Sequence, residues 1–309
     1  MLQGPVASIG ECMIELSDLA ADDGRIRMGF AGDTFNTAVY LARLVAQDGT
    51  GVSYVTALGQ DAFSDRMIAA MRDEGIGTDL VVRLPDRLPG IYAIEVDDAG
   101  ERSFRYWRDA SAARALFSPE GLGAQALEGF GLVYLSGITL AILPEVDRAG
   151  LLERLRIHRD RGGDVAFDGN YRPRLWTSRD EARQWMAEAL SAASIALPSV
   201  DDEMALFGDA DEAAVLSRIA AHGPREIVLK RAERGPVVVA DGARAAPDCP
   251  KAPKILDTTA AGDAFNAGYL AARLRGAPPE AAARSGHALA VQVIGHRGAI
   301  MPRDVPLAR

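Results

Sequence analysis

From residue 130 onward the chain alternates short apolar runs with longer amphipathic stretches, and this rhythm limits the folds open to it. Leu132–Leu135, Val165–Phe167, Ile195–Leu197 and Ile227–Lys230 are each three or four residues long. Runs this short and unalternating suit strands buried on both faces. Between them lie helical stretches such as Val146–Arg161, which stops at Gly162 and Gly163. Strand and helix in alternation predict a mostly parallel sheet covered on both sides, a doubly wound α/β sandwich.

The first third breaks that rhythm. Val6–Ile9 and Met13–Leu16 read as strands, and a turn-like Asp22-Asp23-Gly24 leads to a third near Arg25–Phe30. A helix follows from about Thr34, with Ala38, Leu41, Ala42 and Val45 on one face. Ser53–Ala57 reads as a buried strand and Phe63–Glu74 as a helix closed by Gly75. Residues 90–97 and 101–107 alternate across Asp98-Ala99-Gly100, a hairpin pattern. These hairpin segments, about 12–30 and 90–108, predict a small β-sheet beside the main one, built from two distant pieces of chain. The expected organisation is a single domain over residues 1–309 carrying this second sheet.

Composition removes several function classes. The chain has 309 residues, 48% of them hydrophobic, which is ample for a sizeable core. Its 34 basic against 43 acidic side chains leave a net charge of −9, the wrong field for a nucleic-acid partner. An anionic substrate would need locally placed arginines. Two cysteines, Cys12 and Cys249, make no disulfide framework, and four histidines show no metal-ligand spacing. The absence of a basic, then apolar, leader predicts a cytoplasmic protein with no membrane partner. No G-x-x-x-x-G-K-[ST] loop exists, and the loose dinucleotide pattern over residues 121–126 follows Ser118-Pro119-Glu120 rather than a strand.

The segment Asp257-Thr258-Thr259-Ala260-Ala261-Gly262-Asp263-Ala264-Phe265-Asn266-Ala267-Gly268 is the most informative. Small residues before a helix let backbone N–H groups approach an anion closely. An acid beside such a nest can take a proton from a hydroxyl while the amides hold developing charge. The plain alternative is an acid that caps the helix, and the spacing leaves both open. The string resembles the C-terminal signature of the ribokinase, or PfkB-type, sugar kinase family. That resemblance implies Asp263 as catalytic base and Ala260, Ala261 and Gly262 as the anion hole. It further implies that Asp257 and Thr259 hold a monovalent cation such as K⁺.

Gly29-Phe30-Ala31-Gly32-Asp33-Thr34-Phe35-Asn36 is similar to the stretch that binds sugar hydroxyls in the same family, with Ala31 in place of a glycine. By itself it reads as a helix cap. By the resemblance, Gly32, Asp33 and Asn36 are substrate residues.

Three further stretches place arginines beside aromatic rings: Arg87–Tyr92, Glu101–Arg108 and Asp168–Trp176. Arginine offers a planar fork to a carboxylate and tyrosine a hydroxyl on a rigid ring, although such pairs also decorate ordinary sheets. Together with Gly10–Leu16, Leu135–Leu143 and Val291–Pro302, they resemble the 2-keto-3-deoxygluconate kinase branch of the family. That resemblance runs from about residue 6 to 303. It makes the small sheet a lid, and Tyr92, Tyr106, Arg108 and Arg172 the residues that bind a sugar acid.

On the nucleotide side, Lys230-Arg231-Ala232-Glu233-Arg234-Gly235 looks like the family's Lys-x-Gly-x-x-Gly turn, with alanine at the first glycine. Lys230, Gly235, Asn170, Arg172, Gly262 and His287 are the implied contacts to ATP. Glu203 is the remnant of a motif linked to Mg²⁺. The expectation is an ATP- and Mg²⁺-dependent phosphorylation of 2-dehydro-3-deoxy-D-gluconate at its terminal hydroxyl, by a homo-oligomer joined through the lid. The alternatives are a neutral-sugar kinase for fructose or ribose, which gives Arg108 and Arg172 no carboxylate, and a non-catalytic sugar-acid sensor.

Overall fold

A computed structural model describes residues 2–19, 25–96, 102–118, 121–123 and 126–308. In chain order its strands begin with β1 (Val6–Ile9), β2 (Met13–Ser17), β3 (Arg27–Ala31), β4 (Val52–Gly59), β5 (Ile76–Gly77), β6 (Val81–Leu84) and β7 (Ile91–Val96). They continue with β8 (Arg102–Trp107), β9 (Leu132–Ser136), β10 (Asp164–Asp168), β11 (Ile195–Ala196), β12 (Glu226–Leu229), β13 (Val237–Ala240) and β14 (Ala243–Ala245).

The apolar runs lie side by side. The large sheet has the order β14-β13-β12-β11-β10-β9-β1-β4-β5, with β6 also on β4. From β12 across to β4 every pairing is parallel. Alternate side chains serve two separate cores, as the two-faced burial of such a sheet requires. On β9, Val133 and Leu135 join Leu151, Trp185 and Leu190 on one face. Leu132 and Tyr134 join Phe35, Leu41, Phe265 and Leu289 on the other.

The ladder departs from the expected alternation at one edge, where β13 and β14 run antiparallel to their neighbours. The cause of the last reversal is local. Asp241 and Gly242 have φ of 50° and 75°, the left-handed pair of a two-residue hairpin turn. The two short strands β5 and β6 also lie outside the predicted set.

The second sheet is the order β3-β2-β7-β8. Two antiparallel hairpins are joined through the parallel pair β2–β7, so the segments near 12–30 and 90–108 do meet as one sheet. The turns expected at Asp22-Asp23-Gly24 and Asp98-Ala99-Gly100 lie outside the described residues, as does part of the 121–126 stretch.

Helices run close to their expected bounds, at Asp33–Val45, Ala62–Asp73 and Glu145–Asp160. Asp61 starts the second of these by accepting from the N–H groups of Phe63 and Ser64. Helix Ala261–Leu274 packs on Pro279–Ile294 with almost nothing between their backbones. A Cβ added to Gly268 would lie 2.9 Å from the Gly286 Cα. Among the described residues no helix is long and apolar enough to cross a membrane.

Candidate active site

In an open parallel sheet, ligands gather beyond the carboxyl ends of the strands. There β10 ends at Asp168, β12 runs into Lys230, and helices begin at Asp33 and Ala261. The polar side chains at these points form one connected network. Asn36 donates to the Asp263 carboxylate at 2.9 Å, and Asn170 to Asp33 at 2.7 Å. Lys230 and Asn266 both donate to Asp168 Oδ2, at 2.7 and 2.6 Å. The Asn266 amide also reaches the Tyr134 hydroxyl at 3.0 Å, and Thr37 bonds both that hydroxyl and the Asp263 carbonyl at 3.2 Å.

Asp263 stands in the first turn of its helix and is buried. Burial first, and then the Asp33 charge, raise its carboxyl to about 8 against the pull of the Asn36 hydrogen bond and Lys230. An acid held near neutrality in this way is suited to take a proton from an alcohol. The residue before the helix, Ala260, has φ 61° and ψ 14°, a left-handed conformation unusual for a side-chain-bearing residue. The first N–H groups of any helix lack intrahelical partners. Those of Gly262 and Asp263 therefore stand at the helix start, with Lys230 Nζ 3.6 Å from where a Gly262 Cβ would be. Positive charge and free amides thus lie beside the acid.

Gly32 earns its place through close approach, since a Cβ there would overlap the Glu11 carbonyl. Its N–H reaches Asn36 Oδ1 at 3.4 Å. In the second sheet, Tyr92 pairs in register with Tyr106 across β7 and β8, and the rings stack 5.8 Å apart. The Tyr92 hydroxyl donates to Glu15, and burial together with the Glu15 charge pushes its ionisation far up. Arg108, two residues past Tyr106, lies 5.9 Å from that ring and so on the same face. It sits just beyond β8 rather than on it. Its guanidinium is buried and paired with the buried carboxylate of Glu11.

Arg172 is half exposed, 3.6 Å from Asp202. Burial raises the Asp202 carboxyl, and Arg172 draws it down. Asn170 takes φ 36° and spends its amide on Asp33. Glu203 is buried, its carboxyl raised by burial to about 7 against the pull of Arg218, which it meets at 2.8 Å. His287 is held by the Pro250 carbonyl at 2.8 Å. In the 230–235 turn, Ala232 takes φ 48° and Gly235 φ 71°, so the alanine adopts the conformation that the family's glycine would take freely. Asp257 accepts from the N–H groups of Thr259 at 3.0 Å and Gly298 at 2.6 Å, tying the loop before helix Ala261–Leu274 to the one near the C-terminus.

The structure thus brings Asp33, Asn36, Asn170, Lys230, Gly262 and Asp263 together. Asp168, Asn266 and Tyr134 join them without having been singled out, while Glu11 stands apart with Arg108. Asp168 and Asn266 stand inside quoted motifs, whereas Tyr134 reads as core.

The profile of the pfkB family carbohydrate kinases matches residues 4–305. The chain is 50% identical over 305 residues to the 2-dehydro-3-deoxygluconokinase of Dickeya dadantii, covering 97% of each. The crystal structure of a 2-dehydro-3-deoxygluconokinase from Thermotoga maritima is similar with TM-score 0.84 at 21% identity, over 97% of this chain and 96% of that one. An Escherichia coli protein described as a ribokinase II, in complex with ATP and Mg²⁺, gives TM-score 0.83 at 20% identity over 96% and 94%. With a family match along nearly the whole length and a buried acid at the start of a helix, the chain belongs to the pfkB family of carbohydrate kinases.

Proposed function

We propose that the chain transfers the γ-phosphoryl group of ATP to the terminal hydroxyl of 2-dehydro-3-deoxy-D-gluconate, giving the 6-phosphate. The observation that carries this reading is Asp263, buried, raised to about 8 and set beside a helix start and Lys230. The 50% identity to the Dickeya dadantii enzyme supports the choice of substrate.

In this reading Asp263 removes the hydroxyl proton as the oxygen attacks the γ-phosphorus. The N–H groups of Ala260, Gly262 and Asp263, with Lys230, meet the charge that gathers on the transferred group, whereas the Ala261 N–H, also expected in the anion hole, is given to the Thr258 carbonyl at 3.2 Å. Gly32, Asp33 and Asn36 hold the sugar hydroxyls; Tyr92, Tyr106, Arg108 and Arg172 hold its acid end. Asn170, Arg172, Lys230, Gly235 and His287 line the nucleotide side, and the segments near 12–30 and 90–108 act as the lid of one kinase domain. Lid closure keeps water from competing for ATP.

Among the described residues no group of three or more His, Cys, Asp or Glu side chains could hold a metal ion. Glu203 is committed to Arg218. This donor set fits a Mg²⁺ that arrives on the nucleotide's phosphates and keeps most of its waters. Such an ion would supply charge neutralisation to the phosphates. Asp257 and Thr259 would hold K⁺ behind the helix start. ATP as co-substrate goes with a cytoplasmic location. Exposed Trp107, on the edge strand β8, supports pairing of a second copy along the lid.

A coupled ATP assay across ribose, fructose, 2-keto-gluconate and both epimeric 3-deoxy-2-keto sugar acids tests the reading. Highest kcat/KM on a 3-deoxy sugar acid is expected. Higher kcat/KM on ribose or fructose sinks the acid assignment, and no ATP consumption with any of them sinks the kinase.

A further inference from the structure

Every strand of the small sheet has one end rooted at the large sheet, and all four roots meet at Glu11. This residue lies between β1 and β2, at the point where the chain leaves the large sheet for the lid. Immediately past the end of β3, a Cβ on Gly32 would overlap the Glu11 carbonyl. Immediately before β7, a Cβ on Gly90 would lie 2.7 Å from Glu11 Oε1 and 3.1 Å from the Arg108 Cβ. Immediately past β8 stands Arg108 itself, paired with Glu11.

Both charges are buried, at 2% and 7% relative exposure. Glu11 Oε1 and Arg108 Nε have no hydrogen-bond partner among the described residues. Each ion is therefore compensated chiefly by the other, and a pair of this kind defines geometry more than it adds stability. The glycine at position 90 gives the carboxylate room to reach the guanidinium, and the one at 32 gives room to the Glu11 backbone.

We propose that Glu11 is a positioning residue: it clasps Arg108 at the root of the lid, so that seating the lid and aiming the guanidinium at the substrate's carboxylate are a single event. This rests on the reading of Arg108 as a partner of the sugar acid. Glu11 touches neither substrate nor nucleotide in this role; it acts through the arginine, whose remaining N–H groups are left for the ligand.

Steady-state kinetics with both substrates varied, on the full chain, test the clasp. Arg108→Leu should raise KM for the sugar acid roughly 10–150-fold, the loss of a charge-assisted hydrogen bond. Glu11→Gln should raise it about tenfold, leaving kcat and KM for ATP within about twofold. Gly90→Ala should act in the same direction, because its methyl must displace the carboxylate while both charged residues remain. Gly90 has no positive φ, so the methyl adds no backbone strain; it overlaps the carboxylate oxygen most and meets the Arg108 Cβ and Met13 Cγ at 3.1 Å, and this variant carries the test where Glu11→Gln does not fold. The double variant Glu11→Gln/Arg108→Leu should be no worse than Arg108→Leu. An equal rise in both KM values overturns the clasp, because it reports general loosening. A raised acid KM in Arg108→Leu with unchanged values in Glu11→Gln and Gly90→Ala overturns the clasp alone. An unchanged acid KM in Arg108→Leu overturns the acid contact on which the clasp depends.

Discussion

Asn36 donates its amide hydrogen to Asp263 at 2.9 Å across 227 residues of sequence. The bond favours the charged form of a carboxyl that burial and the Asp33 charge hold up at about 8. The acid can serve as a base only when deprotonated, so kcat/KM should fall about tenfold per pH unit below that value and level off above it. Asp263→Asn should lower kcat by about 10²–10⁴-fold and abolish the acidic limb. A limb of unchanged position in the variant would assign the titration to another group.

The same shift has a consequence for stability. The ordinary value of this carboxyl is 3.8, and in the folded chain it stands near 8. The unfolded chain gives up the proton first, so the contribution is full below about pH 4 and is lost as pH climbs through about 8. Asn at position 263 cannot ionise. The Tm of Asp263→Asn relative to the parent, followed by thermal melts, should therefore rise between pH 5 and about pH 8 and level off above it. A difference independent of pH contradicts the raised carboxyl.

Lys230 donates to the Asp168 carboxylate and the Asn266 amide oxygen and lies beside the helix start at Gly262. Lys230→Met should lower kcat by on the order of 10²–10³-fold, as expected when charge stabilisation at the reacting group is lost. It also leaves Asp168 buried without its cation, which costs about 3–5 kcal/mol and lowers Tm. Adding Asp168→Asn should restore much of the Tm and none of the turnover. If turnover returns as well, the lysine is a structural counter-ion.

Ala232 holds φ 48° in the turn after β12. A left-handed conformation strains a residue with a Cβ, and glycine adopts it freely. Ala232→Gly should stabilise the fold by roughly 0.5–1 kcal/mol, read as a higher urea midpoint at unchanged m. A lower midpoint contradicts the strain.

Much of this was legible from residues close together in the chain. Strands β9 to β12 announce themselves as unalternating apolar runs, and β7 and β8 as alternation, because burial on two faces or one writes itself directly into the pattern. The direction of β13 does not, since an apolar run reads alike whichever way it points and the reversal depends on what lies beside it in space. The acid of the signature motif and its small-residue approach are contiguous and therefore visible. The partners that tune them are remote. Glu11 meets Arg108 across 97 residues and Asp168 meets Lys230 across 62. Tyr134 contributes its hydroxyl from the middle of an apolar run, where an aromatic ring is indistinguishable from core.

The contact of Gly268 with Gly286 bears on how this kinase can change over generations. Side chains between two helices are compressible: a substitution is absorbed by rotamers and the axes drift a little. Here backbone meets backbone, and Gly286 is further boxed in by the Phe265 carbonyl, 2.7 Å from where its own Cβ would be. A single methyl at either position has nowhere to go except into the spacing of the helix that starts beside Asp263. Misplacement of about an ångström at a reacting group can cost on the order of 10²-fold in rate. Mutational tolerance in this stretch is therefore decided by turnover well before it is decided by folding, and a lineage could keep the fold while losing the enzyme through one carbon atom.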